Sequence, residues 1–277
     1  MYRLPLLVPN VNIGETSCKS IINSSGIEGV DYAINPYIGC AHGCTYCYAR
    51  FMTRWYHQGE QWGTFVDIKK GATKCLKKEV EDKKRGVILF SSVTDAYQPI
   101  EKKTKLTRNL LKILSEYNFP VEILTKSSLI LRDLEVLEKF TDLEVGLTIV
   151  SLEDKVRRSF EPLASPICER FETLETFSNA GIPTYAFLGP LLPYISEKGI
   201  EELLNKLADK VGRVIVDRLN IKAGNWKTIN NSIKNDFPEI LPEFEKASKP
   251  DSKYYDDLKR KMIRLLKERA IPYDIVY

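Results

Sequence analysis

The chain has no apolar run approaching the roughly 20 residues that a membrane-spanning helix requires. Its first ten residues carry a single arginine and two prolines, without a small-residue cleavage site. They are therefore predicted to belong to the fold and not to a signal peptide. These absences predict a cytoplasmic protein without membrane contact, in which cysteines serve as free thiols, metal ligands or catalytic groups instead of disulfides.

Positive charge is modest overall, at +4, but it is concentrated in two segments. Residues 66–86 contain eight basic and four acidic side chains, and residues 246–269 contain nine and four. Clustered lysines and arginines neutralise phosphates and release counterions, so the pattern is compatible with DNA or RNA as a partner. The alternative is that both segments are solvated helix faces.

Short apolar runs alternate with longer segments of helical period, which is typical of repeated βα units around a parallel sheet. The runs are rich in Val, Ile, Leu, Tyr and Phe, as expected for strands buried on both faces. The predicted strands are 32–38, 87–91, 121–125, 143–150, 184–188 and 213–219. The predicted helices are 104–117, 129–140, 168–180, 197–211 and 255–269.

Six βα units are too few to close an eightfold barrel. The predicted fold is therefore α/β, a partial (β/α)6 TIM-like barrel whose parallel sheet is open on one side. Chemistry in such folds lies at the C-terminal ends of the strands. We predict an irregular N-terminal extension at 1–30, the partial barrel at 31–222, and a C-terminal cover and helix at 223–277, with 225–250 as a loop or cover.

Three of the six cysteines, Cys40, Cys44 and Cys47, are spaced closely in a loop after the first predicted strand. Neighbouring glycines allow the backbone to wrap around one site on which three thiolates converge. A structural zinc would need a fourth protein ligand, and His42 is the alternative candidate, although its place between two ligands leaves little reach. An iron–sulfur cluster held by three cysteines instead leaves one iron open.

This loop, with Tyr46 before the third cysteine, resembles that of the radical S-adenosylmethionine (SAM) superfamily. The resemblance narrows to the spore photoproduct lyase-like branch, whose members are often labelled DNA repair photolyase-related, and it runs from about residue 31 to residue 220. The sequences that carry it are NPY at 35–37, YCYAR at 46–50, SSVTDAYQPIE at 91–101, LTKS at 124–127, AGI at 180–182 and GP at 189–190.

The resemblance implies a [4Fe-4S] cluster on Cys40, Cys44 and Cys47, whose open iron chelates SAM. Reductive cleavage of SAM then gives methionine and a 5′-deoxyadenosyl radical, which abstracts a hydrogen atom from the substrate. An external one-electron donor of the flavodoxin or ferredoxin type is implied as well.

Polar residues at the strand ends are the predicted SAM contacts. By resemblance Lys126 contacts SAM, and its cation suits the SAM carboxylate. Tyr46 is predicted to pack against or shield the cluster loop. The remaining candidates are Ser92, Thr94 and Asp95 for the methionyl group, Ser151 for a ribose hydroxyl, Arg170 for the carboxylate and Leu188 for the adenine. The alternative for Ser151 and Arg170 is a cap or strand-end role satisfied by the backbone.

Spore photoproduct lyases return a hydrogen atom to the product through a cysteine near the end of the second strand, but residues 86–98 contain none. Thymine-dimer repair by that route is therefore not expected. The predicted substrate is a nucleic acid or nucleotide. The alternatives are a small metabolite or a protein side chain and, in a different class, a non-catalytic zinc-stabilised binding protein.

The other cysteines, Cys18, Cys75 and Cys168, are predicted to be small buried hydrophobic residues. Cys18 is the candidate among them for a role on the substrate side, because the extension that carries it could cover the barrel mouth. His57 lies in an aromatic stretch, where packing or a surface hydrogen bond is expected.

Overall fold

Eleven strands form two sheets in the computed structural model, which describes residues 11–277. The strands are β1 (Asn12–Ser17), β2 (Ile22–Ser24), β3 (Tyr32–Ile34), β4 (Tyr37–Ile38), β5 (Phe65–Lys70), β6 (Ile88–Phe90), β7 (Val121–Thr125), β8 (Leu143–Thr148), β9 (Thr184–Leu191), β10 (Arg213–Arg218) and β11 (Tyr273–Ile275). The main sheet has the order β11-β10-β9-β8-β7-β6-β3-β2, and the small sheet has the order β1-β5-β4.

Ten α-helices accompany these strands in the described residues. They are α1 (Ala72–Asp82), α2 (Glu101–Thr104), α3 (Leu106–Leu114), α4 (Leu134–Leu137), α5 (Asp154–Phe160), α6 (Ile167–Asn179), α7 (Ile200–Leu207), α8 (Trp226–Asp236), α9 (Leu241–Ala247) and α10 (Tyr254–Glu268). Turns of 3-10 helix cover Tyr48–Arg54, Ser128–Asp133 and Pro238–Ile240. No helix within residues 11–277 combines the length and the apolar character that crossing a membrane requires.

The predicted parallel sheet is confirmed: β3 and β6 to β10 are neighbours in chain order, and each pair is parallel. Their C-terminal ends consequently lie along one edge. Within the described residues, β2 is the only antiparallel strand of the main sheet and no pairing joins β2 to β11, so the sheet is open and no closed barrel forms. A TIM-like curvature of this open sheet stays a prediction.

The first predicted strand is interrupted, since β3 ends at Ile34 and β4 belongs to the small sheet. The break falls at Asn35 and Pro36, and proline lacks the N–H that continued ladder pairing requires. β4 pairs with β5 in antiparallel fashion, and β5 pairs with β1 in parallel. The extension predicted as irregular therefore contains β1 and β2, while residues 1–10 lie outside the described part of the chain.

The C-terminal region is more regular than the sequence indicated. The prediction of a loop at 225–250 is wrong, because α8 and α9 occupy most of that segment. Their apolar residues Ile229, Ile233 and Phe244 are buried in a core cluster that includes Cys44 and Tyr46. The predicted last helix is α10, and β11 after it pairs with β10 and extends the main sheet.

Candidate functional site

The cysteine loop begins directly after β4, so the small sheet fixes its first residues. Gly39 has φ +81°, and a Cβ at this position would collide with the carbonyl oxygen of Phe65 in β5 and lie 2.7 Å from the Phe65 ring. Gly43, between the first two cysteines, has φ +62°. L-residues rarely adopt this left-handed region, so glycine is required where the loop turns back against β5.

The thiols of Cys40 and Cys44 are buried, and that of Cys47 is half-buried. Burial raises the pKa of all three, and the Cys47 charge raises the pKa of Cys40 and Cys44 further. The three cysteines lie on one short loop, although within residues 11–277 no three His, Cys, Asp or Glu side chains already stand in metal-binding geometry. A cationic iron centre would favour the thiolates that burial opposes, so the donor set fits an iron–sulfur cluster.

Asp95 lies at the centre of the strand ends beside this loop. Its carboxylate accepts hydrogen bonds from the Thr125 hydroxyl at 2.7 Å and from the backbone N–H groups of Tyr97 and Lys126, both at 2.9 Å. His42 Nδ1 lies 3.3 Å away. Burial alone would raise the pKa of Asp95, but His42, Lys126 and these hydrogen bonds lower it. Asp95 is thus an ionised carboxylate that is bonded to the end of β7 and lies beside His42 of the cysteine loop.

Thr94 and Gln98 also hold the cysteine loop. The Thr94 hydroxyl donates to the Gly39 carbonyl at 2.6 Å, and Gln98 Nε2 donates to Thr94 Oγ1 at 3.0 Å. The Ala41 N–H donates to Gln98 Oε1 at 2.8 Å. Sequence reasoning assigned no role to Gln98, whose signal was only its place in the motif after the second strand. The structure therefore gives Thr94 a contact with the loop, where a contact with SAM was predicted.

Ser92 borders a cavity of about 410 Å³ next to the cysteine loop. Its hydroxyl accepts a hydrogen bond from Asn35 Nδ2 at 3.0 Å, and its carbonyl accepts one from the Tyr48 hydroxyl. Tyr48, Tyr56 and Asn35 line the same cavity. The cavity thus combines aromatic faces with amide and hydroxyl groups at the C-terminal end of β6.

Lys126 follows β7 and is half-buried. Its Nζ lies 3.5 Å from Thr148 Oγ1 and 5.9 Å from the centre of the Tyr46 ring. Burial by itself would lower the pKa of Lys126, but Cys44, Glu161 and Asp95 raise it. The side chain is therefore a protonated ammonium group with one long hydrogen bond, placed next to the cysteine loop.

Arg170 and Glu161 form a fully buried ion pair, with Arg170 Nη2 at 2.5 Å from Glu161 Oε2. Arg170 also donates to the carbonyl oxygens of Thr148 at 2.7 Å and Ser165 at 2.9 Å. The Tyr46 hydroxyl donates to Glu161. Burial favours a raised pKa for Glu161, but Arg170 and Lys126 lower it. The guanidinium is thus occupied by protein groups, in agreement with the alternative reading of Arg170 and not with a direct contact to a SAM carboxylate.

Ser151 and Leu188 are completely buried. The Ser151 hydroxyl oxygen accepts the N–H of Glu153 at 3.1 Å, which is the predicted alternative of a cap satisfied by backbone. This bond leaves the hydroxyl proton free to donate. Leu188 lies within β9 and belongs to the main hydrophobic core, so it is buried below the edge formed by the C-terminal ends of the strands.

Helix α8 supplies contacts to the cysteine loop that sequence reasoning missed. Asn225 Nδ2 donates to the Tyr46 carbonyl at 2.9 Å, and the Thr228 hydroxyl donates to the Thr45 carbonyl at 2.7 Å. These partners are about 180 residues apart in sequence, and no spacing pattern could have indicated them. The predicted cover is therefore part of the site.

The remaining cysteines differ from their predictions. Cys75 Sγ in α1 donates to the Cys18 carbonyl at 3.1 Å, and both residues are half-buried. Cys168 is exposed, so the prediction of a buried residue is wrong there. His57 bonds two carboxylates, Glu60 at 2.7 Å and Asp67 at 2.8 Å, and stacks on Phe65. The packing of His57 is as expected, and the charges of these two carboxylates stabilise its position further.

An open parallel sheet with three cysteines in a glycine loop after its first parallel strand defines a class of enzymes that cleave SAM reductively. The family model described as the radical SAM superfamily matches residues 34–207. The chain belongs to the radical SAM superfamily, as the sequence resemblance indicated, and it is an enzyme of that class.

Two uncharacterized relatives are similar over most of this chain. An uncharacterized protein of Methanocaldococcus jannaschii is 37% identical over 229 residues, which cover 83% of this chain and 85% of the relative. An uncharacterized protein of Mycobacterium tuberculosis is 25% identical over 210 residues, which cover 72% of this chain and 62% of the relative.

Two solved structures share the fold. A spore photoproduct lyase variant with bound AdoMet and dinucleoside spore photoproduct has a TM-score of 0.69 at 15% identity, covering 96% of this chain and 81% of the other. Streptococcus suis SuiB bound to S-adenosylmethionine has a TM-score of 0.57 at 14% identity, covering 88% of this chain and 50% of the other.

Proposed function

We propose that this protein is a radical SAM enzyme that abstracts hydrogen from a nucleic acid or a nucleotide unit. The observation that carries the proposal is the set of three cysteines, two buried and one half-buried, in one glycine loop at the C-terminal edge of a parallel sheet. Cys40, Cys44 and Cys47 would hold the [4Fe-4S] cluster. Bound cluster and SAM supply the electron transfer and sulfonium cleavage that produce a 5′-deoxyadenosyl radical, with a flavodoxin- or ferredoxin-type protein as the external electron donor.

The residues around the loop have separable roles in this proposal. Lys126 binds the SAM carboxylate, because its ammonium group is protonated and makes only one long hydrogen bond within residues 11–277. Ser92 and Ser151 each accept one hydrogen bond and retain a proton to donate, to the methionyl group and the ribose respectively. Leu188 packs beneath the 189–190 stretch of β9, which forms the floor of the adenine site.

Other predicted contacts act by positioning. Thr94 and Asp95 hold the cysteine loop against β6 and β7 through the bonds described above. Arg170 keeps Glu161 ionised. The Glu161 carboxylate in turn accepts a hydrogen bond from the hydroxyl of Tyr46, the residue before the third cysteine. Tyr46 packs in the hydrophobic core cluster that includes Cys44. This packing excludes water from that side of the cysteine loop.

A nucleic acid substrate is supported by three observations. Solved spore photoproduct lyase structures share the fold, and one contains a dinucleoside. The cavity beside Ser92 presents Tyr48 and Tyr56, and aromatic faces stack on bases. Basic side chains outnumber acidic ones by eight to four in residues 66–86, the segment that contains α1. Since the second strand's end lacks a cysteine, we do not propose that product formation follows the spore photoproduct lyase route.

A cytoplasmic location remains the sequence-based prediction.

Cluster binding is tested by anaerobic purification of the Cys44→Ala variant. We expect loss of brown colour and of most of the roughly four irons per chain, together with loss of 5′-deoxyadenosine formation from SAM after reduction. Cys168→Ala is the matched control, because this exposed thiol lies outside the loop, and it should retain both. A colourless wild-type protein that binds a single zinc would instead favour the zinc-stabilised binding protein.

The substrate class is tested by deuterium transfer. The reduced wild-type enzyme is incubated anaerobically with SAM and deuterated oligonucleotides, and 5′-deoxyadenosine is analysed by mass spectrometry. Deuterium in 5′-deoxyadenosine supports a nucleic acid substrate. Transfer from small metabolites or peptides, but not from oligonucleotides, would assign the radical chemistry to the alternative substrates.

A further inference from the structure

A groove on the outer face of the molecule is lined by lysines from two helices. Lys74, Lys77 and Lys78 project from α1, and Lys112 projects from α3 on the opposite side. The groove encloses about 670 Å³, and Glu81 is the one acidic residue among those that line it. We call these four lysines and the space between them the lysine groove.

The cations of the lysine groove have no ion-pair partners within residues 11–277. All four lysines are exposed, and no carboxylate of the described chain lies within 4.0 Å of their Nζ atoms. Lys74, Lys77 and Lys78 are spaced by three and four residues, so their charges lie side by side on one helix face. Like charges at this spacing oppose helix formation, and an anion in the groove would remove the repulsion.

The second basic segment provides an internal comparison. In α10, Arg260 pairs with Asp257, Lys261 with Glu197 and Arg264 with Glu268. These three cations of α10 are thus matched by carboxylates and fit the alternative of a solvated helix face. The groove between α1 and α3 differs, because within residues 11–277 it brings four lysines together with a single glutamate.

We propose that the lysine groove binds the phosphate backbone of a nucleic acid and delivers it to the site. Phosphate contacts by lysines are independent of sequence and position the nucleic acid without selecting bases. Lys69 lines the cavity beside Ser92, and Lys74 follows five residues later, so the groove and the cavity are joined by one short stretch of chain. The inference rests on the proposed function for its biological meaning, but backbone binding can be measured without catalysis.

The test is binding of a labelled mixed-sequence DNA duplex by fluorescence anisotropy across a series of salt concentrations. The wild-type protein is compared with the Lys74→Gln/Lys77→Gln/Lys78→Gln/Lys112→Gln variant. We expect at least a tenfold loss of affinity at low salt, and a salt slope (log K against log salt) that is smaller by about 3 to 4, near 0.9 for each lost phosphate contact.

The control is Lys206→Gln/Arg260→Gln/Lys261→Gln/Arg264→Gln, which removes the same charge from cations paired with carboxylates. Equal losses of affinity in both variants, or no DNA binding by the wild type, would overturn the inference. Cleavage of SAM in the absence of DNA is measured alongside and should be unchanged in both variants. If the wild-type protein does not cleave SAM, the proposed function is refuted. The DNA-binding comparison still tests the lysine groove in that case.

Discussion

Gly39 has the most restricted backbone position of the cysteine loop. It combines a left-handed φ with close contact to the backbone and ring of Phe65, so a side chain is opposed for two separate reasons. We expect Gly39→Ala to lower the free energy of unfolding by about 3 kcal/mol or more, since strain of about 1 kcal/mol adds to the cost of displacing β5. Chemical denaturation measures this change, and iron content reports on the loop.

Gly71→Ala is the matched control, because Gly71 has the same φ of +81° but no atom within 4 Å of an added Cβ. Gly71→Ala should lower the free energy of unfolding only by the cost of the left-handed backbone conformation, about 1 kcal/mol, and should retain its iron. If the two variants lose equal stability, contact with Phe65 is not what fixes the loop.

The residues of the site divided into those with a sequence signal and those without one. The spacing of Cys40, Cys44 and Cys47 on one short loop predicted a metal site, and the family resemblance implied that the metal is an iron–sulfur cluster. The ion pair of Arg170 could not be predicted, since its partner Glu161 directly follows a different helix, α5, and is unremarkable in sequence. Burial of an arginine depends on the tertiary contacts around it, and no local pattern reports these contacts.

At the scale of elements, the long buried strands were predicted well. β7 has the predicted bounds, and β8 and β10 differ from prediction only at their ends, because continuous apolar runs are characteristic of strands covered on both faces. β1 and β5 were missed, since their half-exposed residues lack such a run. α8 was missed because its polar sequence, rich in asparagine, has low helix propensity, and its stability comes from packing against the cysteine loop.

The segment after the cysteine loop is joined to β5 by His57, which bonds both Glu60 and Asp67. Burial would lower the pKa of His57, but these two carboxylates raise it above its ordinary value of 6.5. A raised folded-state pKa contributes stability that is complete below the unfolded-state pKa and is lost as pH rises through the folded-state value.

We therefore expect the free energy of unfolding to fall as the pH rises above 6.5, through the contribution of His57. In the His57→Gln variant this part of the pH dependence should disappear, because the amide does not titrate. Denaturation at a series of pH values gives the comparison, with Glu60→Gln as a variant that weakens the effect without removing it. An unchanged slope in His57→Gln would refute the assignment.

At the scale of the whole molecule, the Glu161–Arg170 pair joins α5, α6, β8 and the cysteine loop through Tyr46. Removing one partner leaves an uncompensated buried charge, so Arg170→Met should lower the free energy of unfolding by about 3–5 kcal/mol at neutral pH. The Glu161→Gln/Arg170→Met double variant should recover part of that loss. Denaturation of the wild type, the double variant and both single variants, Arg170→Met and Glu161→Gln, forms the test, and additive losses would argue against direct coupling.

The same pair predicts sensitivity to acid. Because the pKa of Glu161 is lowered from its ordinary value of 4.5, its contribution is complete above that pH and is lost as pH falls through the folded-state value. The double variant lacks this carboxylate and should therefore lose stability less steeply than the wild type below pH 4.5. If the free energy of unfolding falls equally steeply with pH in the two proteins, the role of Glu161 is contradicted.

The hydrogen bonds from Asn225 and Thr228 to the cysteine loop also bear on how the protein is made. The loop leaves the ribosome well before α8 has been translated, since about 180 residues separate the bonded partners. Until α8 is made, the loop therefore lacks the two hydrogen bonds that fix its backbone at Thr45 and Tyr46. The final geometry of the cysteine loop thus depends on a helix that is translated about 180 residues later.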